Sequence, residues 1–350
     1  MTNNRRVRGP ILTRVVAALL LPALLLGCSS TAKKPAMPQP VPSPAPAPAS
    51  SDTPLPPPPV PSGPQLSGAI GVMIENQEEA RPQAGLEKAD IVYELEAEGG
   101  ITRFLALYYQ NKVDKLGPVR SARMGFYDIS MGYGIPYAHS GGNNDVLAEL
   151  KKPSKQLLDV EEISGYGPTV FWRSTDRKAP HNLYTSTDRV LARAKSVGFA
   201  VKPLANFPEG PAAGTGKPVQ RIAFTWGPRT QDVVWQWNGK RYDRSQSGGP
   251  HMTESGTRIQ TDNLVVLFTR FSWDQSSQWG EGQYNVSIVG SGSGYFYRDG
   301  NAYAIHWAKK SRQEPYLFTL ADGTPLSFAA GQTWVEVLKS AENMTEGALQ

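Results

Sequence analysis

Cysteine is nearly missing from this sequence: 350 residues contain one, Cys28. A single thiol excludes an intramolecular disulfide and any site that needs several thiolates. Long apolar runs are scarce as well. The run over residues 15–26 is too short to span a bilayer comfortably. Net charge is lacking where the chain should fold. Residues 1–64 hold six of the 36 basic and one of the 31 acidic residues, which leaves 30 of each in the remainder. The pI of about 9.1 therefore belongs to the N-terminal segment and gives no support to nucleic-acid binding by the folded part.

What is there begins with an address. Arg5, Arg6, Arg8 and Arg14 form a positive n-region ahead of the apolar run, and Leu25-Leu26-Gly27-Cys28 looks like a bacterial lipobox. This pattern predicts a lipoprotein signal peptide over residues 1–27 and lipidation, palmitate included, at Cys28. The mature chain would then sit on the extracytoplasmic face of the cell membrane, held there by its lipid. An uncleaved anchor helix is the alternative, and it too leaves the bulk of the chain outside the cytoplasm. Once Cys28 carries lipid, no thiol remains for cysteine-dependent transpeptidase or protease chemistry. Lys33 and Lys34 add weak attraction to anionic headgroups.

Sixteen of the 30 prolines lie in residues 1–64. The segment 28–64 is predicted to be a disordered, extended tether reaching on the order of 100 Å at about 3 Å per residue. Beyond it the length favours two domains, an N-terminal one over 65–206 and a C-terminal one over 219–345, with a Pro/Gly-rich linker at 207–218. Strands are expected over 69–75, 90–98 and 101–110, the last two joined by Gly99-Gly100. Helices are expected over 145–152 and 186–196, the second opened by Ser186 or Thr187. Downstream, Asn238-Gly239, Asp299-Gly300 and Asp322-Gly323 lie between aromatic and β-branched runs and read as hairpin turns. The fold class is α+β: a mixed α/β N-terminal domain followed by a mainly antiparallel β C-terminal domain.

Chemistry is expected in the first domain. Glu94, Glu96 and Glu98 alternate along one strand and should share a face, and a two-residue turn would set Glu96 opposite Arg103. Such a row suits glycosidase acid/base work or a hard cation such as calcium, but also a plain solvated face with one cross-strand ion pair. In Gly117-Pro118-Val119-Arg120-Ser121-Ala122-Arg123, Arg120 and Arg123 can share a face and point at one phosphate or carboxylate. His139 ends a strand before the Gly141-Gly142 turn, which presents N–H groups, and no second His or Cys nearby suggests zinc. His181, Asn182 and Tyr184 stand together in a short loop, where capping and loop hydrogen bonds are the bland account. Ser121 lacks a Gly-x-Ser-x-Gly elbow, so a serine triad is disfavoured. Trp235, Trp237 and the aromatics at 295–297 are better read as core than as a sugar platform.

Together with Glu75-Asn76, Arg81-Pro82-Gln83-Ala84-Gly85-Leu86, Ala89-Asp90-Ile91-Val92-Tyr93-Glu94, Glu98-Gly99-Gly100-Ile101-Thr102-Arg103-Phe104, His139-Ser140-Gly141-Gly142, Pro180-His181-Asn182-Leu183-Tyr184 and a Gly331-Gln332-Thr333-Trp334 ending, these stretches resemble the YerB-like bacterial lipoproteins, a family of unknown function. The resemblance covers nearly the whole chain past the tether. It implies the envelope address, a separate C-terminal domain and one shared pocket built from Glu98, Arg103, Arg120, Arg123, His139 and His181; the wider set of ligand-binding candidates adds Asn76, Glu96, Ser121, Asn182 and Tyr184. No metal and no cofactor is expected. The expected function is binding of an anionic or glycan cell-wall component. The alternatives are a glycan hydrolase using Glu and His, and an assembly factor for other envelope proteins.

Overall fold

Every residue of the strand Ile70–Glu75 (β1) is buried, as are seven of eight in Ile91–Glu98 (β2) and in Ile101–Tyr108 (β3). Strands apolar on both faces must be covered on both sides. The computed structural model describes residues 64–347 apart from 155, 164–166, 206, 227–231 and 276–281. The leader, Cys28 and the tether up to residue 63 lie outside the described residues. No helix among those described is long and apolar enough to cross a membrane.

The three strands lie inside an eleven-stranded mixed sheet. On one side the order continues through Pro136–His139 (β4) to Leu158–Glu161 (β5), both parallel to β1. On the other side, β2 pairs with Thr333–Leu338, then come Asn263–Phe268, Gly290–Arg298, Asn301–Lys309 and Leu317–Leu320. Strand Thr333–Leu338 runs parallel to both of its neighbours, so the last part of the chain joins the two halves, with Ile91 opposite Thr333 and Glu94 opposite Glu336. The stretch 207–218 separates halves that share one sheet.

A six-stranded antiparallel sheet, which includes Arg221–Phe224, Val233–Trp237, Tyr242–Gln246 and Met344–Gly347, packs through Ile222, Val233 and Trp235 on the face carrying Val92 and Phe104. The other face carries Leu105 and Leu107 and is covered by Phe126 and Ile129 of the helix Met124–Tyr133. Sequence and structure agree at the Asp299-Gly300 turn, where φ is 53° and 73°, and at the helix Thr187–Ser196, whose N-cap Ser186 hydroxyl accepts from the Arg189 amide. They differ at Met124–Tyr133, which the sequence pattern does not announce. Eight of its ten residues are buried, so polar and apolar positions do not segregate along it.

Between the two sheets lies a sealed polar cluster. Arg244 and Glu94, both without solvent exposure, form an ion pair of 2.7 Å. Glu94 also accepts from the Thr102 hydroxyl (2.6 Å) and the Asn76 amide (3.2 Å). Arg244 Nη1 donates to Gln246 and to His251 Nδ1, both at 2.6 Å, and His251 Nε2 faces Gln83 Oε1 at 2.9 Å. An arginine can only donate, so this geometry fixes the His251 proton on Nε2. Burial first, then Arg244 and Arg81, hold that histidine well below its usual pKa, so it stays neutral. Across the strand pair, burial first and the Glu94 carboxylate second push Glu336 well above the carboxylate range, while Trp235 Nε1 donates to it at 2.9 Å. The pair Glu94/Glu336 thus carries one charge, matched by Arg244.

Two outcomes follow from this cluster. Replacing Arg244 with Met strands the Glu94 charge and should lower unfolding free energy by about 3–5 kcal/mol in a urea titration. Glu336 holds its proton in the folded state more tightly than in the unfolded one. Its contribution is therefore complete below the unfolded carboxylate pKa and is lost as pH rises from there toward the raised folded value. Glu336→Gln should remove that decline, giving a flatter melting temperature between pH 4 and 8 than the wild type.

Candidate functional site

β1, β4 and β5 run parallel and end together at Glu75, His139 and Glu161. Ligands of open α/β sheets bind beyond the carboxyl ends of parallel strands. The motif around Arg120 is laid across this edge. Arg120 N donates to Met73 O (3.0 Å), Ser140 N to Arg120 O (3.1 Å) and Ala122 N to Gly141 O (2.9 Å). Gly117 enters the strap at φ 148°, and a Cβ there would lie 2.7 Å from Leu183 O, so only glycine fits. Gly141, at φ 70°, turns the chain back from β4 beside Ser121.

Glu75 forms the floor. Its carboxylate is 1% exposed and faces Arg120 Nε at 3.1 Å and His181 Nδ1 at 3.0 Å. Next to it, Arg103 Nη2 reaches Glu98 at 2.5 Å while Arg123 reaches the other oxygen through Nε (2.8 Å) and Nη2 (2.6 Å). Arg123 Nη1 donates to the Ser121 hydroxyl and the Ala122 carbonyl. These two guanidinium groups hold the Glu98 carboxyl below its usual range, although burial alone, the largest influence on it, would raise it. Burial and then the Arg123 charge bring Arg103 down to about 10. Arg120 is lowered too, by burial foremost, with Glu75 opposing and Arg103 assisting. Arg173 closes the edge, donating to Asn182 Oδ1 (3.1 Å) and Glu162 (3.4 Å), whose second oxygen accepts from Ser140. Four arginines thus stand among Glu75, Glu98 and Glu162, with Glu161, which accepts from the Gly141 backbone N–H at 2.8 Å, and Asp159 close by.

Glu98 reaches this group through a bulge. It pairs with Ile101, as a Gly99-Gly100 turn requires, but Glu96 pairs with Thr102 and Leu95 with Arg103. Ala97 is therefore an extra residue. A one-residue shift changes face, so Glu94 and Glu96 stay with Thr102 while Glu98 crosses to Arg103. The expected single row of three glutamates and the Glu96–Arg103 pairing are both corrected by it.

Of the expected residues, Glu98, Arg103, Arg120, Ser121, Arg123 and His181 come together. Asn76 belongs to the buried cluster around Glu94. Glu96 lies across the bulge, bound to Lys339 at 2.9 Å, and burial raises its pKa. His139 is fully buried, with Nδ1 against Gly141 O (2.9 Å) and Nε2 against Asp159 (2.8 Å), so both ring nitrogens are occupied. Asn182 ties its loop to Ser174 O and Arg177 O, and the buried Tyr184 ring packs on Trp172. Glu75, Glu162 and Arg173 were not among the expected residues. A charged residue closing the otherwise apolar β1 run was the available signal for Glu75. Among the described residues no group of three His, Cys, Asp or Glu is placed to hold a metal ion.

Residues 59–200 match the model of a family described as a protein of unknown function (DUF3048), N-terminal domain, and residues 222–335 match its C-terminal domain. The chain is 30% identical over 278 residues to the Bacillus subtilis (strain 168) protein called "Putative lipoprotein YerB", covering 77% of this chain and 80% of that protein. The crystal structure of the YerB protein from Bacillus subtilis is similar at a TM-score of 0.70 and 26% identity, over 80% of this chain and 94% of that one.

The depressed Glu98 pKa gives a stabilisation present above the unfolded carboxylate value and lost as pH falls through the folded one. Glu98→Gln should therefore cost about 2–3 kcal/mol at pH 7, the scale of hydrogen bonds to charged groups. In paired urea titrations that difference should shrink steadily as the pH is lowered below 4.

Proposed function

The chain belongs to the DUF3048 family, and we propose that it is a lipid-anchored cell-envelope protein that captures an anionic group of an envelope polymer on Arg120. The anchor is Cys28, on the extracytoplasmic face, by the lipobox-like sequence and by the description of the Bacillus subtilis relative as a lipoprotein. One observation carries the ligand class. Arg120 Nε lies 3.1 Å from the buried Glu75 carboxylate as an ion pair without a hydrogen bond, and its two Nη groups have no hydrogen-bond partner among the described residues. A guanidinium oriented by its stem with both terminal donors left over is suited to a bidentate phosphate or carboxylate. The neighbouring cations are Arg103, Arg123 and Arg173, and the Arg123 charge adds to burial in lowering the Arg103 pKa.

Acid/base hydrolysis has no such support. Glu98 is engaged by two arginines and held ionised, Glu96 is on the other face, and His139 is sealed under its own loop.

The test is titration of the full chain, purified in detergent, with inorganic phosphate and with teichoic-acid and peptidoglycan fragments. Arg120→Ala should weaken binding of the anionic ligands at least tenfold and, because it removes one partner of the buried Glu75, lower the melting temperature, so binding is compared well below the melting temperature of the variant. Arg123→Ala, which removes the clamp on Glu98, should lower the melting temperature. Equal affinity of wild type and Arg120→Ala would remove the proposal.

A further inference from the structure

We infer that the opposite edge of the sheet carries a second site, for a neutral oligosaccharide. Where β2 and Thr333–Leu338 begin, a cavity of about 550 Å³ opens between the two halves of the chain, within the roughly 300–1,000 Å³ of small-molecule sites. Three polar atoms of its lining residues are buried without a hydrogen-bond partner: Glu87 Oε2, Gln332 Oε1 and Arg241 Nε. Buried orphans are uncommon in folded proteins, and three around one cavity call for a ligand or water to satisfy them.

The surroundings are built rigidly. Gln332 is 6% exposed, and its Nε2 donates to the carbonyls of Ala89 (2.7 Å) and Leu86 (3.3 Å), which fixes the direction of its oxygen. Asp262 accepts from the Gln332 backbone N–H (2.9 Å) and from Arg241 Nη2 (2.8 Å), so one carboxylate ties the Gln332 main chain to the Arg241 side chain. It comes so close to the backbone that a Cβ on Gly331 would overlap it. The stacked rings of Phe207 and Phe328, 4.5 Å apart, provide an apolar wall.

This arrangement selects against the ligand of the first site. The lining holds Glu87, Asp90, Glu209 and Asp262 against Lys240 and Arg241, so it repels phosphates and carboxylates. Two orphan acceptors and one orphan donor beside an aromatic wall match sugar hydroxyls, which donate and accept, and the C–H face of a sugar ring.

The experiment uses the full chain in detergent, with chitotetraose and maltotetraose as neutral probes and inorganic phosphate as the anionic one, read by saturation-transfer NMR and calorimetry. At least one tetrasaccharide should bind saturably. Arg241→Lys and Glu87→Gln should each weaken it at least tenfold with little change in melting temperature, whereas Arg120→Ala should not affect it. Absence of saturable binding of both sugars at millimolar concentration overturns the inference, as does binding that only Arg120→Ala weakens. Phosphate binding tests the first site alone, so either site can fail without the other.

Discussion

The two sheets meet across a charge that cannot be left alone. Arg244 comes from the second half of the chain and Glu94 from the first, and neither reaches water. An unpaired ion in that position costs several kcal/mol, so the arginine and the carboxylate specify each other. The rest of the layer is arranged around that demand. Trp334, Phe104 and Trp235 surround the guanidinium with ring centroids 5.2, 5.6 and 5.8 Å away. Asn76 and Thr102 occupy the remaining lone pairs of Glu94, and Glu336 keeps a proton because a second full negative charge has no partner there. Simple oil-like packing would accept many registers between the sheets. This cluster accepts one.

The same constraint explains what could be read from residues in order and what could not. Ile70–Glu75, Ile91–Glu98 and Ile101–Tyr108 are legible because β-branched and aromatic residues run to glycine turns. The helix from Thr187 is legible because Ser186 caps it. The Gly99-Gly100 turn was legible, and the extra Ala97 was not, since a bulge is decided by which face Glu98 must reach. Six of the candidate site residues converge because three short motifs, around Glu98, Arg120 and His181, meet at one strand edge. Asn76 and Glu96 were drawn to other partners, Arg244's cluster and Lys339, that lie far away in sequence. A single chain read in order does not show that His251, Gln83 and Glu94 will meet.

The two ends of the sheet differ in electrostatic character. At the carboxyl ends of β1, β4 and β5, four arginines are interleaved with carboxylates, and burial together with neighbouring arginines lowers the proton affinity of Arg103 and Arg120. At the far end, carboxylates exceed cations around the cavity. Both arise from the same strands: β2 begins beside Asp90 and ends at Glu98, so one element contributes to both. A polymer with charged and uncharged segments would meet different surfaces at the two ends.

The placement of Thr333–Leu338 also orders events in time. Synthesis delivers β2 more than two hundred residues before the strand that pairs with it, so during that interval one edge of the first half is an unpaired row of amides and carbonyls. Such an edge readily joins other strands. The exposure lasts until residues 333–338 have emerged. A product cut short before residue 333 would leave both halves of its sheet open at the centre.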